Sequence, residues 1–93
     1  MFEHFILMAS SYQRGTRIAL HFVFDDGIDE AKIAKPINAI FEAIGKDAKF
    51  STHYLYTDDA SWDSIVAYDP FFSDAYLVDS LEEFIFIMNE ETT

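Results

Sequence analysis

The segment RIALHFVFDD, Arg17–Asp26, decides the fold. Apolar side chains recur at every second position, with Ile18, Leu20 and Phe22 on one face. This period-two pattern predicts a strand that packs one face against a core. The strand ends at Asp25–Gly27, where two short acidic residues and a glycine indicate a turn.

Three further segments are predicted as strands. Phe2–Ser11 is apolar on both faces and is therefore expected at the centre of a sheet. A turn at Gln13–Thr16 joins it to Arg17–Asp26 in an antiparallel hairpin. Phe50–Thr57 alternates aromatic and polar residues and predicts a third strand, and Ser64–Tyr68 is expected to form a short fourth one.

The first predicted helix follows Gly27, and either Asp26 or Asp29 caps it. Its apolar residues recur at helical spacing and make one face. They are Ile33, Ile37, Ile40, Phe41 and Ile44. Pro36 either kinks this helix or opens a second helical segment, and Gly45 is expected to end it.

The second predicted helix begins with the sequence Ser80-Leu81-Glu82-Glu83, which fits a capping box with Ser80 as N-cap. An apolar stripe continues to about Asn89, and Glu90–Thr93 is expected to be a frayed tail. The order β-β-α-β-β-α predicts a single small α+β domain over residues 1–93. We expect a four-stranded, mostly antiparallel sheet with both helices on one face.

Charge is distributed unevenly along the chain. Lys49 is the last basic residue, and residues 47–93 carry one basic and eleven acidic side chains, a net charge of −10. Residues 1–46 carry five basic and six acidic side chains, a net charge of −1. A surface usually mixes both signs, so the acidic half predicts attraction to a cationic partner.

Composition narrows the class of partner. An aromatic fraction of 17% argues against a disordered acidic chain. Direct binding to nucleic acid or to an anionic membrane is not expected, since both require a basic face. There is no cysteine, which is compatible with a reducing compartment, and we expect a cytoplasmic protein.

The expected partner-binding residues combine carboxylates with neighbouring aromatic side chains of the acidic half. They are Asp58, Asp59, Trp62, Asp63, Asp69, Phe72 and Asp74. An arginine of the partner could stack on an aromatic ring while pairing with a carboxylate. Two alternatives stay open: the carboxylates only keep the protein soluble, and the aromatic residues are core residues under a loop.

Metal binding and catalysis have little support. Asp25–Glu30 and Thr57–Asp63 concentrate oxygen ligands but lack the alternating spacing of a calcium loop. His4, His21 and His53 lie in predicted strands without the spacing of a metal motif. The sequence has no cysteine nucleophile and no glycine-rich phosphate loop. We therefore expect no metal, no cofactor and no enzymatic activity.

Small, acidic, aromatic-rich proteins without cysteine resemble in general style toxin-immunity proteins, nucleic-acid mimics and phage-encoded inhibitors of defence systems, although no shared motif supports the resemblance. The leading hypothesis is an inhibitor that occupies the basic surface or substrate groove of a toxin, a nuclease or another nucleic-acid-binding protein. The alternatives are a regulatory or structural subunit of a stable complex, and a small metal- or ligand-binding domain. The protein is expected to be a monomer or a homodimer. Repulsion among its carboxylates predicts that mild acidification stabilises the fold.

Overall fold

The computed structural model describes residues 1–91 and forms a four-stranded sheet with helices on both faces. In chain order the elements are β1 (Phe2–Ser11), β2 (Thr16–Phe24), α1 (Glu30–Ile44), β3 (Ser51–Thr57), α2 (Trp62–Tyr68), a short 3₁₀ helix (Pro70–Phe72), β4 (Tyr76–Leu77) and α3 (Leu81–Glu91). The α+β class and the first three predicted strands are confirmed.

The strand order in the sheet is β3-β1-β2-β4. β1 pairs antiparallel with both β2 and β3, which confirms the hairpin and the central place of β1. The fourth strand is different from the prediction, because it consists of Tyr76–Leu77 and pairs in parallel with β2. The sheet is therefore mixed.

The predicted strand Ser64–Tyr68 is wrong, because this segment belongs to α2. Ser61 caps the helix by accepting a hydrogen bond from the amide of Ser64 at 3.2 Å. Ile65 is fully buried against the sheet, and Val66 packs partly against the same cluster. A short apolar run is compatible with either a strand or a helix. Here the N-cap residue Ser61 favours the helix.

The two predicted helices are confirmed. Asp29 caps α1 by accepting from the amide of Lys32 at 2.9 Å, and Gly45 ends the helix with a φ of 118° that favours glycine. Pro36 lies inside one continuous helix. Ser80 caps α3 through the amide of Glu83 at 3.1 Å. α3 extends to Glu91 and so includes the first two residues of the predicted frayed tail, whereas Thr92 and Thr93 lie outside the described residues.

The two faces of the sheet carry different cores. One face packs against α1 and α3 through Phe5, Leu7, Ile18 and Leu20 with residues such as Phe84. This arrangement confirms that both predicted helices share a face. The other face packs against α2 and the 3₁₀ helix, and its buried cluster is Ile6, Met8, Ala19, Ile65 and Phe72.

None of the helices formed by residues 1–91 is long and apolar enough to cross a bilayer.

Candidate functional site

The sheet register brings the start of β1 together with the ends of β2 and β3. Glu3 pairs with Phe24, the last residue of β2, and Phe2 pairs with Thr57, the last residue of β3. The loops that follow β2 and β3 therefore leave the sheet at the same end. Each loop begins with two aspartates, Asp25-Asp26 and Asp58-Asp59.

Carboxylates concentrate at this end because α1 and α2 also begin there. We define the acidic end by eight residues: Glu3, Asp25, Asp26, Asp29, Glu30, Asp58, Asp59 and Asp63. Lys32, in the first turn of α1, is the basic residue among them. Eight carboxylates and one lysine give this end a net charge of −7 out of the −11 of the chain.

The opposite end of the sheet has a mixed charge. The β1–β2 turn, the end of α1 and the start of β3 meet there and supply four of the six basic residues: Arg14, Arg17, Lys46 and Lys49. Six carboxylates accompany them: Glu42, Asp47, Asp69, Asp74, Glu90 and Glu91. The structure therefore has a charge asymmetry along the strand direction that does not coincide with the asymmetry between the two halves of the sequence.

The structure divides the predicted partner-binding residues between the two ends. Asp58, Asp59 and Asp63 belong to the acidic end. Asp69 and Asp74 lie at the opposite end, away from the first three. Their separation follows from α2, which runs back along the sheet from one end to the other.

The two aromatic members of the predicted set contribute to the core. Phe72 is only 2% exposed and packs edge-on against Trp62 with ring centroids 6.0 Å apart. Phe72 therefore has no surface to offer a partner in this conformation. Trp62 is half-buried and its ring lies 5.4 Å from that of His21. Trp62 is thus the one aromatic residue of the predicted set that borders the acidic end.

Some carboxylates of the acidic end have intramolecular partners. Asp26 pairs with Lys32 at 3.2 Å, Glu3 accepts from the amide of Ile28 at 2.7 Å, and Asp59 accepts from the amide of Ser61 at 2.9 Å.

Others are free for an external partner. Asp25, Asp58 and Asp63 are exposed, and their carboxylates make no hydrogen bond or ion pair with residues 1–91.

A buried polar network holds the β3–α2 loop against the sheet behind these carboxylates. His4 is fully buried, and its Nε2 lies 2.7 Å from the hydroxyl of Thr57. The Thr57 hydroxyl donates to the carbonyl of Asp59 at 2.6 Å, so it accepts the N–H at Nε2 of His4. Nδ1 of His4, 2.8 Å from Nε2 of His21, then accepts from that ring.

The network favours neutral histidines. Burial lowers the pKa of His4, and nearby Asp59 offsets this only in part. Burial, followed by the proximity of His4, lowers the pKa of His21 to about 4. A proton added at Nδ1 of His4 would meet the N–H of His21, so the two rings cannot both be charged without breaking their hydrogen bond.

The third histidine lies on the same face of the sheet. His53 and His21 both pair with Ile6, from opposite sides. Burial, then the charge of Arg17, lowers the pKa of His53, while Asp69 acts in the other direction. Residues 1–91 contain no group of three histidine, aspartate or glutamate side chains arranged to hold a metal ion.

At the opposite end, Arg17 is held by the protein itself. Its guanidinium donates to the carbonyl of Phe71 and to the carboxylate of Asp74, and it lies over the ring of Phe71 at 4.1 Å. Arg14 lies over the ring of Tyr76 at 4.5 Å. Asp69 caps the 3₁₀ helix through the amide of Phe71 at 3.0 Å. Asp69 and Asp74 thus serve the fold.

Sequence reasoning missed five carboxylates of the acidic end, all from the near-neutral half of the chain: Glu3, Asp25, Asp26, Asp29 and Glu30. The position of these five carboxylates at one end of the sheet could have been predicted from the sequence. The predicted β1–β2 hairpin already places the end of β2 beside the start of β1. Only the pairing of β1 with β3 adds Asp58 and Asp59 to the same end, and no local pattern reveals that pairing.

Comparison of the chain with models of protein families, with curated proteins and with solved structures finds no match.

Proposed function

We propose that this protein binds a basic protein partner through its acidic end and inhibits that partner by covering its basic surface or substrate groove. The supporting observation is the concentration of eight carboxylates and one lysine where three strands and two helices meet. Such a field attracts cations and accelerates association with a basic surface. Direct binding to nucleic acid is disfavoured by the same field.

The fold gives the acidic end a fixed shape. Asp58 and Asp63 flank a turn that is anchored to the sheet through Thr57 and His4. Asp25 lies at the end of a paired strand. Carboxylates on such supports keep their spacing, so less side-chain and loop freedom is lost when they pair with a partner's arginines and lysines. This preorganisation supports a role in binding over a role in solubility alone.

The proposal includes no enzymatic activity and no cofactor, and it places the protein in the cytoplasm, where candidate partners such as nucleases, toxins and other nucleic-acid-binding proteins act. Their substrate grooves are basic because they bind phosphates. Carboxylates in such a groove would take the positions of phosphates.

A pair of matched variants tests the proposal. Asp25→Asn with Asp58→Asn removes two free carboxylates from the acidic end, one from each half of the chain. Glu42→Gln with Asp47→Asn removes two exposed carboxylates from the opposite end. Both change the net charge from −11 to −9, so a difference between them reports position and not total charge.

The measurement is a pull-down from lysate of the source organism, followed by mass spectrometry and an activity assay on the captured protein. We expect the wild type and the Glu42/Asp47 variant to capture the same basic protein and inhibit it, and the Asp25/Asp58 variant to lose it. Equal capture by all three proteins, or capture without any loss of the partner's activity, would contradict the proposal.

A further inference from the structure

β3 forms one edge of the sheet, with β1 on one side and no strand of residues 1–91 on the other. Its sequence, Ser51–Thr57, contains no charged residue and no proline. Its register with β1 runs without interruption, so the strand has no bulge. Edge strands normally carry charges, prolines or bulges that prevent pairing with another chain. The opposite edge is protected because β4 is only two residues long.

The surface beside this edge is suited to another strand. On the face that carries α1 and α3, Tyr54 is 51% exposed and Tyr56 is 57% exposed. On the other face a groove of about 390 Å³ runs along β3, between the strand residues 52–55 and the residues Tyr68, Asp69 and Phe72. An added strand would continue the hydrogen-bond ladder and place its side chains against both surfaces.

The charge distribution identifies the occupant and its direction. The acidic end lies at the carboxyl end of β3, whereas the mixed end, with Lys46, Asp47 and Lys49, precedes its amino end. Two copies that pair through β3 in antiparallel orientation therefore place the acidic end of each beside the less acidic mixed end of the other, which supplies Lys46 and Lys49. Parallel pairing would bring the two acidic ends together and is disfavoured.

We propose that two copies of this chain form a symmetric dimer through antiparallel pairing of their β3 strands, which joins two four-stranded sheets into one of eight strands. All seven residues of β3 are paired when the two-fold axis passes through Tyr54. Ser51 then lies opposite Thr57 of the second copy, and Thr52 lies opposite its Tyr56. The same register places Lys49 level with Asp59 of the second copy.

The dimer does not rest on the proposed inhibitory function. It uses the β3 edge, whereas Asp25 and Glu30 follow β2 and stay exposed in both copies. The two accounts therefore fail separately. Loss of partner capture by the Asp25/Asp58 variant tests the first once light scattering shows that this variant keeps the oligomeric state of the wild type, because Asp58 directly follows β3, and the oligomeric state of the wild type tests the second.

The absence of cysteine makes a direct test possible. In the proposed register the two Tyr54 residues face each other, with Cβ atoms about 5 Å apart, so Tyr54→Cys is expected to form a disulfide between copies. Thr52→Cys is the matched control. In the proposed register the residues at position 52 of the two chains are offset by four residues, about 13 Å along the strand. They are too distant to form a disulfide.

The experiment combines light scattering on the wild type over a range of concentrations with mild oxidation of the two cysteine variants. Because Tyr54 also contacts Phe5, with ring centroids 5.3 Å apart, its replacement could disturb the fold. A thermal melting curve of each reduced variant therefore serves to verify that it is folded. We expect a wild-type dimer, a covalent Tyr54→Cys dimer and a largely monomeric Thr52→Cys protein. A wild type that stays monomeric at the highest attainable concentration overturns the proposal. The proposal is also overturned if the wild type is a dimer but both cysteine variants, or neither of them, form a disulfide between chains.

Discussion

The two ends of the sheet use carboxylates in different ways. At the mixed end, Asp74 holds Arg17 and Asp69 caps a turn, so these acidic groups stabilise the fold. At the acidic end, Asp25, Asp58 and Asp63 extend from anchored backbone without a partner in residues 1–91. The comparison teaches that the number of acidic residues does not by itself identify a binding surface, because some of them, such as Asp74, pair within the protein.

The largest expected effect comes from removing the support of α2, the helix that carries Asp63. Ile65 is fully buried between α2 and the sheet, so Ile65→Ala is expected to lower the free energy of unfolding by about 2–5 kcal/mol. Urea denaturation measures this. A loss below about 1 kcal/mol would mean that α2 does not pack on the sheet as described, and the acidic end would lose its fixed shape.

The second effect concerns pH. A histidine whose pKa is lower in the folded than in the unfolded chain binds fewer protons when folded. The contribution of His21 to stability is therefore complete above pH 6.5 and is lost as the pH falls toward about 4. His4 and His53 act in the same direction. This opposes the stabilisation on acidification that carboxylate repulsion alone predicts.

Melting temperatures between pH 7.5 and pH 4 distinguish the two contributions. We expect the wild type to lose stability across this interval and His21→Gln, which keeps a hydrogen-bond donor toward His4, to lose less. If the melting temperature of the wild type rises instead, carboxylate repulsion outweighs the histidines and the buried network does not control the pH response.

A smaller effect is expected from the ion pair of the mixed end. Arg17→Met removes the hydrogen bonds to Phe71 and Asp74 but keeps the length of the side chain. Because the site is partly exposed, we expect a loss of about 1 kcal/mol in the free energy of unfolding. Thermal denaturation measures it. Unchanged stability would show that the mixed end does not depend on its internal pairing.

The smallest effect on stability is expected at the acidic end. Lys32→Met removes the exposed pair with Asp26 and the hydrogen bond from the ammonium to the carbonyl of Gly27 at 3.3 Å, and we expect a loss of about 0.5 kcal/mol because the ion pair is exposed. The same change removes the one lysine of the acidic end, so association with a basic partner should become faster. If Lys32→Met destabilised the protein as much as Arg17→Met, this would contradict the claim that internal pairing matters more at the mixed end than at the acidic end.

Sequence predicted the half of the fold that depends on local patterns. Period-two alternation identified β2, and capping residues identified α1 through Asp29 and α3 through Ser80. The face covered by α2 was not predicted, because the run Ile65–Tyr68 is too short for its periodicity to separate a helix from a strand. The two-residue β4 depends entirely on its tertiary position beside β2.

The composition of the acidic end was predicted only in part, for a related reason. Asp58, Asp59 and Asp63 were identified from the excess of acidic residues in the second half of the chain, which is a property of composition. The pairing of β1 with both β2 and β3, which adds Asp25 and its neighbours, is a long-range property of the sheet. Composition also grouped Asp74 with these residues, whereas in the structure Asp74 lies at the opposite end and pairs with Arg17.

The most direct test of the central claim is the salt dependence of association between the captured partner and three proteins: the wild type, the Asp25/Asp58 variant and the Glu42/Asp47 variant. Association with the wild type and with the Glu42/Asp47 variant should slow steeply and equally as salt screens the charges. The Asp25/Asp58 variant should associate about tenfold more slowly at low salt and depend less on salt. Equal rates and equal salt dependence for all three would contradict the claim that the acidic end guides binding.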